Sequence, residues 1–415
     1  MSKVNEPSVA PESTIGTHDA VDSASKALEA SLQADVVQGQ IPGAIVMLSE
    51  ARQQRLSLVV GYQDVEQNIP LRPDSIFRLY SMSKPITSVA VMMLVEDGKL
   101  ALDDAASQVL PEFANMRVYV SGTVDDMETE PVAREITIAD LLSHTAGIIY
   151  PFTGETPVHD YYRRHGVMRD TPVGRRPTDG APAPTLEALV ARIGQAPLFV
   201  QPGAAFNYSY ATTVLGLIIE RVSGQPLETF LRTRLFDPLG MTDTGFYVDD
   251  EDLDRFVTNY AATATGIAPV ERAETSEYRD RKRLVDGGGA LAGTASDYLR
   301  FAQMLADGGV AEGRRLLKEE TVDLMFAPHA DMPAMGPIPS RFGYGFQIGN
   351  PALEAAGQLP DGAVSWAGSG NTFFWIDRRR RVALVFMTQV LTPPEFLERA
   401  LALRRPVNAA AAAIL

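Results

Sequence analysis

Apolar positions recur at helical spacing between residues 21 and 37 and stop before Gly39 and Pro42, which predicts an amphipathic helix. Two segments rich in Val, Ile and Leu, 44–49 and 56–62, predict a pair of strands in a hairpin-like arrangement. A dense apolar run at 89–95 lies just after Pro85 and ends before Gly98. Proline is tolerated in the first turn of a helix and not in its interior, so this helix is expected to start near Met82 with Ser81 as its cap. Residues 136–147 predict a short helix closed by Gly147, and further helices are expected at 186–193, 210–222, 227–235, 296–305 and 318–326. The last third changes character, with strands expected at 344–348, 373–376 and 382–388 and a closing helix at 394–403. Two stretches lack periodicity: the polar residues 1–20, expected to be disordered, and 150–184, rich in Pro, Gly and Arg and expected to be a long loop shaping a pocket.

Strands thus sit at both ends of the chain and helices dominate the middle. The economical arrangement is an α+β fold in which both chain ends build one antiparallel sheet flanked by helices, with a mainly helical domain inserted. The expected division is 21–85 with 330–415 for the sheet domain and 86–329 for the helical domain, which carries the long loop 148–185. A cleft is expected where the two meet.

Composition narrows the choice of function. A net charge of −15 leaves no basic excess to neutralise phosphates, which argues against nucleic acid as a partner. The chain has no cysteine, which removes thiol catalysis and cysteine metal sites. Its start lacks the apolar core of a secretory signal, and its longest apolar runs are too short to span a bilayer. A cytoplasmic protein without membrane contact is the expectation. The five histidines are too scattered for a metal site, and neither a Gly-rich phosphate loop nor a Gly-x-Ser-x-Gly elbow is present. No metal or cofactor is expected.

Candidate chemistry begins at Ser81-Met82-Ser83-Lys84. Residues three apart share a helix face, so a hydroxyl and an amine would look into one space. A serine becomes a nucleophile when a neighbouring base takes its proton, and a lysine serves where burial or a nearby cation lowers its pKa. The same positions also suit an ordinary helix cap. Ser23-Ala24-Ser25-Lys26 repeats the pattern in a polar stretch and reads as a surface helix. In Phe206-Asn207-Tyr208-Ser209, Ser209 suits a helix cap, leaving Tyr208 either as a proton relay or as packing at the helix entrance. Trp366-Ala367-Gly368-Ser369-Gly370 is either a plain glycine turn or a place where backbone approaches a ligand, with an edge-strand N–H such as that of Ser369 offered to an oxyanion. His144 reads as a structural residue of its turn.

In this order, Ser81-x-x-Lys84, Leu141-Leu142-Ser143-His144-Thr145-Ala146-Gly147, Phe206-Asn207-Tyr208-Ser209 and Trp366-Ala367-Gly368 resemble the serine β-lactamase and penicillin-binding-protein-like superfamily. Within it, the chain is similar to class VIII carboxylesterases, relatives of class C β-lactamases, and to the fungal acyltransferase that acylates a statin precursor. The resemblance runs from about residue 25 to the C-terminus. It implies Ser81 as the acylated nucleophile, Lys84 as proton acceptor, Tyr208 as its partner, and the N–H groups of Ser81 and Ser369 as an oxyanion hole. It also places Tyr150, Tyr210, Trp366 and Gly368 at the substrate. Two departures matter. Class C β-lactamases carry asparagine where this chain has Tyr210, and Lys-Thr-Gly where it has Trp366-Ala367-Gly368. Without that lysine a β-lactam carboxylate loses its cation. A small-molecule ester of a short- to medium-chain acid fits better, with acyl transfer, β-lactam or D-amino-acid amide hydrolysis, and a binding role on an inactive scaffold as the alternatives.

Overall fold

A nine-stranded antiparallel sheet divides the protein into layers. The computed structural model describes residues 15–169, 179–333, 338–393 and 397–415, with side chains from residue 21. Helix α1 (Ile15–Val37) leads into strands β1 (Gly43–Glu50), β2 (Gln53–Asp64) and β3 (Ile69–Pro70). The middle of the chain supplies helices α2 (Ser83–Glu96), α3 (Ile138–Leu142), α4 (Pro157–Arg164), α5 (Leu186–Gln195), α6 (Ala211–Ser223), α7 (Ala295–Ala306) and α8 (Glu319–Phe326). It returns as strands β4 (Ala330–Met332), β5 (Ser340–Phe342), β6 (Gln347–Ile348), β7 (Val364–Ala367), β8 (Phe373–Asp377) and β9 (Val382–Met387), and closes with helix α9 (Leu397–Ile414).

The strands lie in the order β4-β5-β6-β7-β8-β9-β1-β2-β3. The two chain ends meet at the β1–β9 ladder, where Val46 faces Phe386 and Met47 faces Val385. Successive side chains of a strand point to opposite faces, and each face here has its own core. Ile45, Trp366, Phe374, Ile376, Val385 and Met387 pack inward with α2, α6 and α7. Val46, Leu48, Phe373, Trp375, Leu384 and Phe386 pack outward with Leu28 and Leu32 of α1 and Leu403, Val407 and Ala411 of α9. The expected α+β sheet built from both chain ends is the one observed.

Several elements differ from expectation. Helix α1 begins at Ile15, inside the stretch expected to be disordered, and residues 1–14 lie outside the described residues. The stretch 150–184 is not all loop. It contains α4, opened by Thr156 and Pro157, whose polar sequence hid its periodicity; residues 170–178 lie outside the described residues. Two hairpins interrupt the helical middle, the largely exposed Arg117–Thr123 with Asp126–Pro131 and the partly buried Asn259–Thr263 with Gly266–Glu271. The closing helix runs well past residue 403 through Pro406, because alanine favours helix and Val407, Ala410 and Ala411 are buried against the sheet.

Candidate active site

Ser81 is not the cap of a helix. It sits in a single 3₁₀ turn, Tyr80–Met82, that runs into α2. Tyr80 just before it holds φ at +46°, a left-handed conformation that costs a bulky residue free energy and persists only where neighbours enforce it. They do so here: Asn259 Nδ2 donates to the Tyr80 hydroxyl at 2.8 Å, and the Tyr80 ring lies against Gly370. The start of α2 is held in the same manner, with Tyr298 donating to the Met82 carbonyl at 2.9 Å and the Leu291 N–H donating to Ser83 Oγ at 3.2 Å.

Lys84 follows one turn later and is 1% exposed. Its Nζ lies 3.1 Å from Ser81 Oγ and donates to the Gly288 carbonyl at 2.5 Å. The Tyr208 hydroxyl reaches the same Oγ at 2.6 Å. Sequence positions 81, 84 and 208 therefore converge on one oxygen.

Tyr208 is held from behind by α3. A capping box of Thr137 and Asp140 starts that helix, and Asp140 also pairs with Arg134 and accepts from Thr145 Oγ1. The turn after α3 places His144 at φ +58°, its carbonyl accepting from Asn207 N–H at 2.7 Å and its ring edge-on to Tyr208. His144 Nδ1 lies 3.1 Å from Ser209 Oγ. Burial, with the Lys84 amine nearby, pushes the His144 pKa well below its usual value, so the ring is neutral and structural. Ser209 binds the Ala211 N–H, although the residue preceding α6 is Tyr210.

Strand β7 brings Trp366 to the site and hands over to the turn carrying Ser369. It is an interior strand rather than an edge, contrary to expectation. Strand β6 pairs only with Val364 and Ser365, so Trp366 onward is left uncovered on that side. Gly368 lies so close to the nucleophile turn that a Cβ there would stand 2.5 Å from the Leu79 carbonyl oxygen and 2.4 Å from Thr372 Oγ1. The Gly368 N–H donates to Thr372 O and its carbonyl accepts from Asn371 N–H, which closes the turn around Ser369.

Ser81, Tyr150, Tyr208, Tyr210, Trp366, Gly368 and Ser369 line one cavity of about 630 Å³. Lys84 lies behind Ser81. Tyr150 packs edge-on against both Tyr208 and Tyr210 and stacks on Phe152. Burial, then the neighbouring Tyr208 and Asp286, push the Tyr150 phenol well above its usual range; burial does the same to Tyr210. Both phenols therefore stay protonated.

Sequence reasoning missed Asp286. Its carboxylate is almost wholly buried, accepts from the Gly288 N–H at 2.5 Å and from Thr213 Oγ1 at 3.0 Å, and pairs with Arg169 at 2.9 Å. Thr87 Oγ1, one turn beyond Lys84, donates to the neighbouring Gly287 carbonyl. Asp286 thus fixes the glycine turn that receives the Lys84 amine, and Arg169 ties the 150–184 region to it. The run Asp286-Gly287-Gly288-Gly289 was the available signal. The second Ser-x-x-Lys pattern lies on α1 with Ser23 and Lys26 exposed. Among the described residues no cluster of His, Asp or Glu could hold a metal ion, and no helix is long and apolar enough to cross a membrane.

Comparison with known proteins agrees with this geometry. The family model described as Beta-lactamase matches residues 25–409. Protein Rv1367c of Mycobacterium tuberculosis is 32% identical over 382 residues, covering 87% of this chain and 89% of that protein. The lovastatin esterase of Penicillium rubens is 28% identical, covering 88% and 93% of the two chains. Among solved structures, EstCE1, described as a hydrolase with promiscuous acyltransferase activity, superposes with a TM-score of 0.77 at 29% identity, covering 94% of this chain and all of the other. The convergence of hydroxyl, amine and phenol beside this sheet and the match along nearly the whole chain give one answer: the protein belongs to the beta-lactamase family and is a serine hydrolase.

Proposed function

We propose that the protein is a carboxylesterase that cleaves short- to medium-chain esters through an acyl-enzyme on Ser81. The observation that carries this is the meeting of Tyr208 OH and Lys84 Nζ at Ser81 Oγ, 2.6 Å and 3.1 Å away, on the wall of an aromatic-lined cavity. In the resting arrangement both groups donate to Oγ; loss of one proton from the pair makes it an acceptor. Ser81 Oγ then attacks the ester carbonyl as the pair takes its proton. The oxyanion is held by the backbone N–H groups of Ser81 and Ser369, donors that act most strongly where water is excluded. The pair returns the proton to the departing alkoxide, and water, deprotonated the same way, releases the acid and regenerates Ser81. Tyr150, Tyr210, Trp366 and Gly368 bound the substrate.

Acyl transfer is the second reading, with an alcohol or amine replacing water at the last step, and the names of the relatives, a lovastatin esterase and a hydrolase with acyltransferase activity, favour keeping it. Trp366-Ala367-Gly368 offers no cation for a β-lactam carboxylate, so β-lactam and D-alanyl amide turnover are expected to be slow by comparison. The test is p-nitrophenyl butyrate hydrolysis by the wild type and Ser81→Ala, together with intact mass after a serine-directed phosphonate. The expected result is loss of both turnover and adduct in the variant. Undiminished turnover in folded Ser81→Ala protein would sink the mechanism. Nitrocefin and D-alanyl-p-nitroanilide in the same assay rank the substrate classes.

A further inference from the structure

The cavity at Ser81 does not end at the aromatic residues. Around the uncovered side of β7 it continues to α9, where Ile338, Leu353, Leu391, Leu397 and Leu401 form an apolar wall. Arg404 belongs to the same wall. The other arginines of the cavity are paired: Arg163 with Glu155 and Asp160, Arg169 with Asp286. Arg404 has no carboxylate partner among the described residues, its buried Nε has no hydrogen-bond acceptor, and its guanidinium lies 5.1 Å from the centroid of the Phe373 ring. Arg404 is half-buried, and a partly desolvated guanidinium with an orphaned Nε is favoured by an anionic or π-rich neighbour.

The helix that carries it is fixed. One turn on, Asn408 donates to the carbonyls of Gly357 and Gln358 at 2.9 and 2.8 Å and accepts from Trp375 Nε1 at 2.9 Å. Gln358 itself lines the cavity. The backbone that presents the cation is therefore fixed at the end of an apolar arm, while its half-buried guanidinium faces the cavity.

We propose that this end of the cavity is a subsite for a carboxylate, with Arg404 as its cation, so that the preferred esters carry a carboxylate separated from the reacting carbonyl by an apolar spacer. The proposal rests on the ester-hydrolase reading above and adds a substrate class to it. A single planar guanidinium suits a carboxylate, which it binds through two parallel N–H donors. The leucine wall suits a methylene spacer. Burial draws the Arg404 pKa down to about 10, so the group remains a cation at neutral pH. In a chain of net charge −15, such a local cation is what would let an anionic ester enter at all.

The experiment compares kcat/KM for length-matched neutral and anionic esters in the wild type, Arg404→Gln and Arg404→Lys. One series places the carboxylate on the acyl side, as p-nitrophenyl monoesters of glutaric to suberic acid against simple acyl esters. The other places it on the alcohol side, as butyrates of ω-hydroxy acids against simple alkyl butyrates. The expected result is that, in one series, the anionic-to-neutral ratio falls about 10- to 100-fold in Arg404→Gln, with neutral esters little changed and Arg404→Lys in between. An unchanged ratio in both series, or equal loss on neutral and anionic esters, would overturn the subsite and leave Arg404 a packing residue. Calorimetric binding of suberate to Ser81→Ala protein, with and without Arg404→Gln, reads the subsite independently of turnover. Binding at least 10-fold weaker without the arginine supports it, and equal binding refutes it, whatever becomes of the esterase reading.

Discussion

Asp286 decides where the Lys84 amine stands, because it holds the Gly288 amide whose own carbonyl receives Nζ. Exchanging it for asparagine keeps the shape but unpairs Arg169 and loosens the turn. Small misplacements of reacting groups cost about a hundredfold in rate. Asp286→Asn is therefore expected to lose about 10- to 100-fold in kcat with KM within a few-fold, read by steady-state kinetics. His144 makes a different kind of prediction. Its folded pKa lies below the unfolded value, so the unfolded chain takes up a proton first as pH falls. The stability it contributes is complete above about pH 6.5 and is lost progressively below it. Thermal melts between pH 7.5 and 5 should show a steeper loss for the wild type than for His144→Gln. These residues also show the limit of reading by motif. The meeting of Ser81, Lys84 and Tyr208 was legible through the ordered motifs that carry the family resemblance, since the Ser-x-x-Lys spacing alone recurs at Ser23. Tyr80 and Asn259 were not, since only the folded chain brings them together, and Asp286, though it opens a glycine run, bears on Lys84 only once Gly288 meets that amine.

At the scale of elements, the close contact between the end of β7 and the nucleophile turn sets the site's width. A Cβ at position 368 would collide with the Leu79 backbone two residues before Ser81. Gly368→Ala is expected to cost about 1–3 kcal/mol in stability, as overpacking does. It should also lower kcat more than KM, since the turn bearing Ser81 is pushed from its amine and phenol; melting curves beside kinetics check both. Elements with strong apolar periods, α2, α6, β1, β8 and β9, were legible to within a few residues. Helix α4 was not, because it is short and its buried face of Val158, His159, Tyr162 and Arg163 holds a single aliphatic residue. The hairpin 117–131 escaped for a related reason: its second strand, Asp126–Pro131, is almost wholly exposed and has no core-facing alternation to read.

At the scale of the molecule, the fold class was legible from the placement of strands at both ends, while the length of α9 was hidden in an alanine-rich tail that looked featureless. That helix covers Phe373, Trp375, Leu384 and Phe386 on the outer face of the sheet. A chain truncated after residue 396 is expected to leave this apolar face bare and to yield little soluble protein, measured as soluble fraction and near-ultraviolet circular dichroism. A protein folding without α9, with native spectra and turnover, would contradict this layer's importance. The β1–β9 ladder has a further consequence, for biosynthesis. A ribosome releases β1 well before β7, β8 and β9, so at about 5–20 residues per second the first strand waits on the order of tens of seconds for its partners. Nucleophile, amine and phenol can gather on the nascent helical body during that interval, but the turn bearing Ser369 has not yet been made. With Ser369 in its proposed role, a chain released before that turn is made is expected to be inert.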